Sequence, residues 1–277
     1  LFRSSAASDV YKRQALTLRL IDTFSGIGGF SYAAEFLVGG YQTTSFVEQN
    51  PFCQSILRKH WPEVPIHDDI KTFTPERGSA DVICGGFPCQ DISTAGRQAG
   101  IKEGTRSGLF YEFMRVVRLV RPKYIVLENV SAIVANGLDI VLGEIAEAGF
   151  NAEWAVISAR DLGACHKRSR WWLIAYPDTI RLPGSKLSLP SLHGSNTRRE
   201  IGLGNRQTLR PQSRIKWNTW NKPLNPDWRT YVSKPVLPRG DDGLSNRVDR
   251  IKALGNAVVP QVAAIPLARI KELAAAD

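Results

Sequence analysis

The sequence predicts an open α/β fold, with short buried strands alternating with helices. Three observations carry that prediction. Short, largely apolar runs stop abruptly at an acid or a glycine, Leu18 to Asp22, Ala80 to Cys84 before Gly85, and Lys123 to Val130 around Glu128, and a further strand, Thr43 to Val47, ends in Glu48. Near-continuous apolar runs of this length are typical of parallel strands covered on both faces. Helical patterns lie between them, over Gly29 to about Val38, Pro51 to Trp61 and Leu109 to Val120. A glycine-rich turn, Ser25-Gly26-Ile27-Gly28-Gly29, joins the first run to the first helix.

The stretch Ala80-Asp81-Val82-Ile83-Cys84-Gly85-Gly86-Phe87-Pro88-Cys89-Gln90 organises the rest. Its strand breaks at Gly85-Gly86, so Cys89 follows the carboxyl end of a strand. Ligands bind at that edge in open α/β sheets, and a thiol there is placed to act as a nucleophile. The competing reading of Cys89 is a small buried hydrophobe.

The other strand ends add chemistry at the same edge. The glycine turn is G-x-G-G rather than the G-x-G-x-x-G of dinucleotide folds, and alone it is a weak signal. Glu48 lies about 20 residues past the turn, where an acid can bind both hydroxyls of a ribose. Turn and acid together indicate a nucleoside cofactor. The loop Asp68-Asp69-Ile70 puts an acid at that edge, placed to accept from an adenine amino group or a charged amine. Glu128 ends the strand expected beside that of Cys89, within reach of one substrate, or it caps the helix at Ser131. Residues Asp91 to Gly108 read as a long glycine-rich loop with Arg97, Lys102 and Arg106, which means either disorder or, as the functional reading, a mobile, phosphate-contacting lid over Cys89. Arg168 and Arg170 share a face if the chain is extended there.

The chain has 277 residues and a net charge of +10. That length supports one large domain, or one and a half, with a substantial core. Between Pro177 and Pro235 eleven basic side chains stand against three acidic ones, interleaved with Trp217, Trp220 and Trp228. Such a segment fits a nucleic-acid surface, and it fits a solvated insertion equally well. The four cysteines form no CxxC pair, Cys165-His166 has no partner pair with zinc spacing, and no apolar run is expected to span a membrane. No metal is expected. Asp9 to Gln14 resembles translated adapter sequence, so residues 1–15 are expected to be a non-native or disordered tail.

Asp22 to Gly29, Gly85-Gly86-Phe87-Pro88-Cys89-Gln90, Glu128-Asn129-Val130, Arg168 with Arg170, and Gly255-Asn256-Ala257-Val258 occur in the order of the DNA (cytosine-5) methyltransferases, which the chain resembles from Leu18 to Leu273 apart from the basic insertion. The resemblance implies a doubly wound, Rossmann-like methyltransferase core binding S-adenosylmethionine, with a small irregular target-recognition insertion. Residues 16–176 would form the core, 177–240 the recognition region and 241–277 a segment returning to the core. Cys89 resembles the nucleophile and Glu128 the acid at ring nitrogen 3, with Arg168 and Arg170 holding active-site groups and a flipped nucleotide. Phe24, Gly26, Ile27, Gly28, Gly29, Glu48, Gln49, Asp69, Ile70, Gly86, Pro88, Leu109, Asn256 and Val258 would form the cofactor pocket. Gln90, Ser93, Arg97, Arg106, Arg198, Arg199, Arg214 and Lys216 would contact DNA.

Two departures stand out. His166 occupies the place of a usual Gln, and the family's usual segment between the recognition region and Gly255 is missing. The activity implied is methylation of carbon 5 of a flipped-out cytosine in double-stranded DNA, by a monomer in a bacterial or phage-encoded cytoplasmic setting. A cognate restriction endonuclease is one possible partner, and the sequence does not decide between an orphan and a restriction-modification enzyme. The alternatives are an RNA cytosine-5 methyltransferase and an inactive DNA-binding homologue.

Overall fold

The computed structural model describes residues 17–88, 108–164, 166–177 and 247–276. Seven strands form one sheet: β1 (Leu18–Thr23), β2 (Tyr41–Val47), β3 (Ile66–His67), β4 (Val82–Gly85), β5 (Tyr124–Val130), β6 (Phe150–Ser158) and β7 (Ser169–Pro177). Among the described residues six α-helices accompany them: α1 (Gly29–Tyr32), running on into a π-helical stretch over Ala33–Val38, α2 (Pro51–His60), α3 (Leu109–Val120), α4 (Leu138–Glu147), α5 (Arg247–Asn256) and α6 (Pro260–Ala276).

The strand order is β3-β2-β1-β4-β5-β7-β6. Neighbours from β3 to β5 are parallel, whereas β7 is antiparallel to both β5 and β6. The order reverses between β1 and β4, which makes the crevice outside their carboxyl ends the switch point where such sheets bind ligands.

Strand periodicity divides the core into two layers. Ile21, Ile83, Ile125, Leu127, Trp171 and Leu173 point to one face and pack against Phe110, Phe113, Met114 and Val117 of α3 and Val141 and Ile145 of α4. Leu20, Val82, Cys84, Tyr124, Val126, Trp172 and Ile174 point to the other, against Phe30, Ala33 and Ala34 of the first helix and Val262, Ala263, Leu267 and Ile270 of α6. Side chains alternate across a strand, so the apolar residues of one strand feed both layers.

The helix boundaries have local causes. Asn50 caps α2, its side-chain oxygen accepting from the N–H groups of Phe52 and Cys53, with Pro51 at the first position. Arg121, with φ 56°, ends α3 in the left-handed region. Glu128 caps nothing: Ser131–Val134 is a single 3-10 turn preceded by Val130, with no side-chain cap.

Residues Ala253–Ala275 are long and apolar enough, by length and composition, to cross a membrane, contrary to the expectation from sequence. Within that stretch Val262, Ala263, Ala264, Leu267, Ile270 and Leu273 are buried against the sheet, as in a core helix. The chain that leads into Gly255 is the helix α5.

Candidate active site

A cavity of about 360 Å³ opens at the carboxyl ends of the parallel strands. Among the residues expected to bind a cofactor, Phe24, Gly26, Glu48, Gln49, Asp69, Ile70, Gly86, Pro88, Leu109 and Asn256 line it, together with Glu128, Arg168 and Arg170. Ile27, Gly28, Gly29 and Val258 instead line a neighbouring apolar groove of about 830 Å³ beside Tyr32, Phe36 and Trp61. Cys89 and the eight expected DNA contacts lie outside the described residues, as does Cys165.

The loop after β1 is held against the end of β2, where the Ser25 N–H donates to the Val47 carbonyl at 3.2 Å. Phe24 and Gly26 both have positive φ, 52° and 54°. Such backbone is strained for phenylalanine and free for glycine. A Cβ on Gly26 would meet nothing within 4 Å, so the backbone there faces open space. Glu48, at the end of β2, latches the loop: its Oε2 accepts the Gly26 N–H at 2.7 Å and its Oε1 accepts the Asn50 N–H at 2.8 Å. Gln54 donates to the Glu48 carbonyl at 2.6 Å and to Asp68 Oδ1 at 2.8 Å, joining β2, α2 and the loop after β3.

Beneath the loop sits Asp22, fully buried in β1. Its Oδ2 accepts the Ser31 hydroxyl at 2.8 Å and the Ser31 N–H at 3.2 Å, tying the strand to α1. Burial pushes its carboxyl up to about 7 against those hydrogen bonds. The Cys84 thiol, its register partner on β4, is driven well above its ordinary value, by burial first and then by Asp22.

β4 and β5 form the other wall. Thr23 Oγ1 donates to the Cys84 carbonyl at 2.8 Å, locking β1 to β4 just before the break. Gly85 has no room for a side chain, because a Cβ would run into Thr23 Oγ1 and lie 3.2 Å from Phe113. A Cβ on Gly86 would come within 3.0 Å of Glu128 Oε2, so glycine lets the loop pass directly beside that carboxyl. Buried Asn129 donates to the Phe87 carbonyl at 3.2 Å, pinning the chain that leads to Pro88 and Cys89. Asn129 was legible only as part of the Glu128-Asn129-Val130 motif.

Glu128 lies 3.1 Å from Arg170 through Oε1 and Nε, and its side chain is 13% exposed. Desolvation raises its carboxyl to about 7 although Arg170 and Arg168 both pull it down. A carboxylic acid that keeps its proton near neutrality can donate a hydrogen bond to a substrate. The two arginines do not extend side by side. Arg168 has φ 31° ahead of β7, and its guanidinium donates to the carbonyls of Gly255 at 2.9 Å and Ala257 at 2.6 Å. It therefore fastens the α5–α6 junction, and Asn256 with it, over the cavity. Among the described residues no group of three or more His, Cys, Asp or Glu is arranged to hold a metal ion.

Residues 18–216 match the family model described as C-5 cytosine-specific DNA methylase. The chain is 29% identical over 186 residues to the type II methyltransferase M.HhaI of Haemophilus parahaemolyticus, covering 66% of this chain and 56% of that protein. It is 33% identical over 165 residues to the type II methyltransferase M.CviJI of Paramecium bursaria Chlorella virus IL3A, covering 58% and 43%. The chain thus spans about half the length of these curated relatives. In fold it is similar to the S. pombe Dnmt2 methyltransferase, with a TM-score of 0.50 and 20% identity, covering 63% of this chain and 57% of that one. With the family model matched over most of its length, and the fold in agreement, the chain belongs to the C-5 cytosine-specific DNA methylases.

Proposed function

We propose that the protein transfers a methyl group from S-adenosylmethionine to carbon 5 of a flipped-out cytosine in duplex DNA, with Cys89 as the nucleophile. The observation that supports this most directly is the convergence of a Glu48-latched glycine loop and a Glu128–Arg170 pair on one cavity.

The residues present suit an adenosyl ligand. Open space above Gly26 leaves room for a ligand against the backbone, and Glu48 keeps lone pairs for ribose hydroxyls after accepting from Gly26 and Asn50. Phe24 would pack against the adenine, and Asp69 and Ile70 would flank its edge, with Gln49, Gly86, Pro88, Leu109 and Asn256 completing the wall. Bound there, S-adenosylmethionine supplies an electrophilic methyl group.

Carbon 5 of cytosine is a poor nucleophile, which explains the residue types. The Cys89 thiolate adds to carbon 6, and the electron pair of the 5,6 double bond gains density at carbon 5. Glu128, protonated, donates to ring nitrogen 3 as negative charge builds on the ring, and Arg170 holds the carboxyl in place. Carbon 5 takes the methyl group as the S–CH3 bond breaks and S-adenosylhomocysteine leaves. The carbon 5 proton then passes to solvent, which restores the double bond and expels Cys89 as thiolate, while ring nitrogen 3 returns its proton to Glu128.

None of this is possible inside a stacked duplex, so the base must be flipped out, at a cost of roughly a few kcal/mol. The loop carrying Gln90, Ser93, Arg97 and Arg106, and the basic segment with Arg198, Arg199, Arg214 and Lys216, are the proposed suppliers of phosphate and base contacts.

The test is incubation of the protein with labelled S-adenosylmethionine and either duplex DNA or RNA, followed by base-resolution mapping. Label at cytosine carbon 5 of DNA, lost in Cys89→Ala, supports the reading. Label confined to RNA redirects it, and no transfer to either overturns it.

A further inference from the structure

Arg115 makes a set of contacts that strand and helix periodicity do not account for. Its guanidinium leaves α3 and reaches the turn Asp69–Phe73 that follows β3, 42 to 45 residues earlier in the chain. There Nη2 donates to the carbonyls of Ile70, of Lys71 at 3.2 Å and of Phe73 at 3.1 Å, and Nη1 also donates to Phe73 at 3.1 Å. Nε donates to Glu112 Oε2 at 2.7 Å, one turn back on α3, which fixes the plane of the fork.

The turn needs such a partner. It is a single helical turn, with Phe73 N–H bonded to the carbonyls of Asp69 and Ile70, at 3.1 and 3.3 Å. At its start Asp69 Oδ1 accepts the Lys71 N–H at 3.0 Å. At its end no further helix follows to supply N–H groups, and the carbonyls of Lys71 and Phe73, with that of Ile70, converge on one cation, the sign a helix C-terminus favours.

Both bodies joined by Arg115 face the cavity. Asp69 and Ile70 line it from the turn, and Leu109 lines it from the first residue of α3. Arg115 itself is absent from the lining, so its effect on a ligand must pass through these residues.

We infer that Arg115 is a positioning residue that sets the adenosyl-binding wall, holding Asp69 and Ile70 in register with Leu109. The inference rests on the cofactor reading above. Alanine at 115 frees the turn from α3, whereas lysine keeps the charge but lacks the planar fork that meets three carbonyls at once.

The experiment measures calorimetric binding of S-adenosylhomocysteine and of 5′-methylthioadenosine, which lacks the amino-acid end, to the full chain and to Arg115→Ala and Arg115→Lys. Loss of charge-assisted hydrogen bonds predicts that alanine weakens both ligands alike by about tenfold and lysine by about threefold. At saturating cofactor, kcat and the KM for DNA should stay within about twofold of the parent, a split that general destabilisation would not produce.

Unchanged affinity in Arg115→Ala overturns the inference, as does a loss that only S-adenosylhomocysteine shows, or a kcat that falls with affinity. Should the alanine variant not fold, the lysine variant decides by the same criteria. If the parent protein binds neither ligand, the cofactor reading fails as well, whereas binding by the parent with no effect at 115 removes this inference alone.

Discussion

Glu128 and Arg170 meet diagonally across the antiparallel β5–β7 pair, Oε1 to Nε 3.1 Å, because Glu128 lies opposite Trp172 and Arg170 opposite Val130. Residues two apart on a strand share a face, so the register itself delivers the guanidinium to the carboxyl. Arg170→Ala is therefore expected to reduce kcat by about 100-fold, the low end of what a positioned proton donor contributes. Cofactor affinity should change by less than about threefold. Single-turnover methyl transfer with separate calorimetry of S-adenosylhomocysteine checks both halves, and equal losses in the two would remove Glu128 as the target of the arginine.

The same pair predicts a pH dependence. Burial raises the Glu128 carboxyl to about 7, with Arg170 and Arg168 as the charged groups drawing it down. In the proposed mechanism Glu128 donates to ring nitrogen 3 and must be protonated, so kcat/KM should fall as pH rises above about 7. Removing the Arg170 charge leaves desolvation less opposed and moves that alkaline limb to higher pH. A pH profile of kcat/KM for the parent and Arg170→Ala tests this, and a limb moving the other way would contradict it.

Much of this site was written in the sequence, and the remainder depends on pairing across long separations. The runs ending at Asp22, Glu48, Gly85 and Glu128 are strands that converge on one cavity, because their carboxyl ends align in a parallel sheet. The expected helix over Leu109 to Val120 has those bounds, since its apolar face repeats clearly over three turns. β3 is two residues long, too short to leave a periodic signal. The reversed direction of β7 and the left-handed backbone of Arg168 are tertiary outcomes, and the reach of Arg115 to Ile70 joins residues 45 apart. Ile27, Gly28 and Gly29 belong to the same glycine motif as Gly26, yet the turn at Gly28 carries them into the neighbouring groove.

Asp22 supplies a stability test. Its buried carboxyl has been moved from 3.8 to about 7, with the Ser31 donors and the Cys84 thiol against it and Glu48 as the nearby like charge. Between those values the native state holds a proton that the unfolded chain has released. Stability therefore falls as pH rises through about 4 to 7 and is level on either side, the whole change being on the order of 4 kcal/mol. Glu128, also raised to about 7, adds to the slope in the same direction. Asp22→Asn keeps an oxygen for Ser31 and cannot ionise. Its melting temperature should drop less between pH 5 and pH 8 than the parent's, and an equal drop would show that Asp22 does not titrate in this range.

Two glycines of one loop should fail in different ways when replaced by alanine. Gly28 has φ 84° and its Cβ would stand 2.7 Å from Trp61 Cζ3 and 3.0 Å from Leu57 Cδ2, against packed side chains with little freedom to retreat. Left-handed strain and overpacking add, so Gly28→Ala is expected to cost about 2–4 kcal/mol of stability. Gly26 has φ 54° but nothing within 4 Å of its Cβ. Gly26→Ala bears only the backbone strain, about 1 kcal/mol, and directs its methyl into the space proposed for the cofactor. Denaturant melts should therefore single out Gly28→Ala, while titration with S-adenosylhomocysteine should single out Gly26→Ala. A Gly26→Ala protein that binds this ligand as tightly as the parent would move the cofactor off the loop.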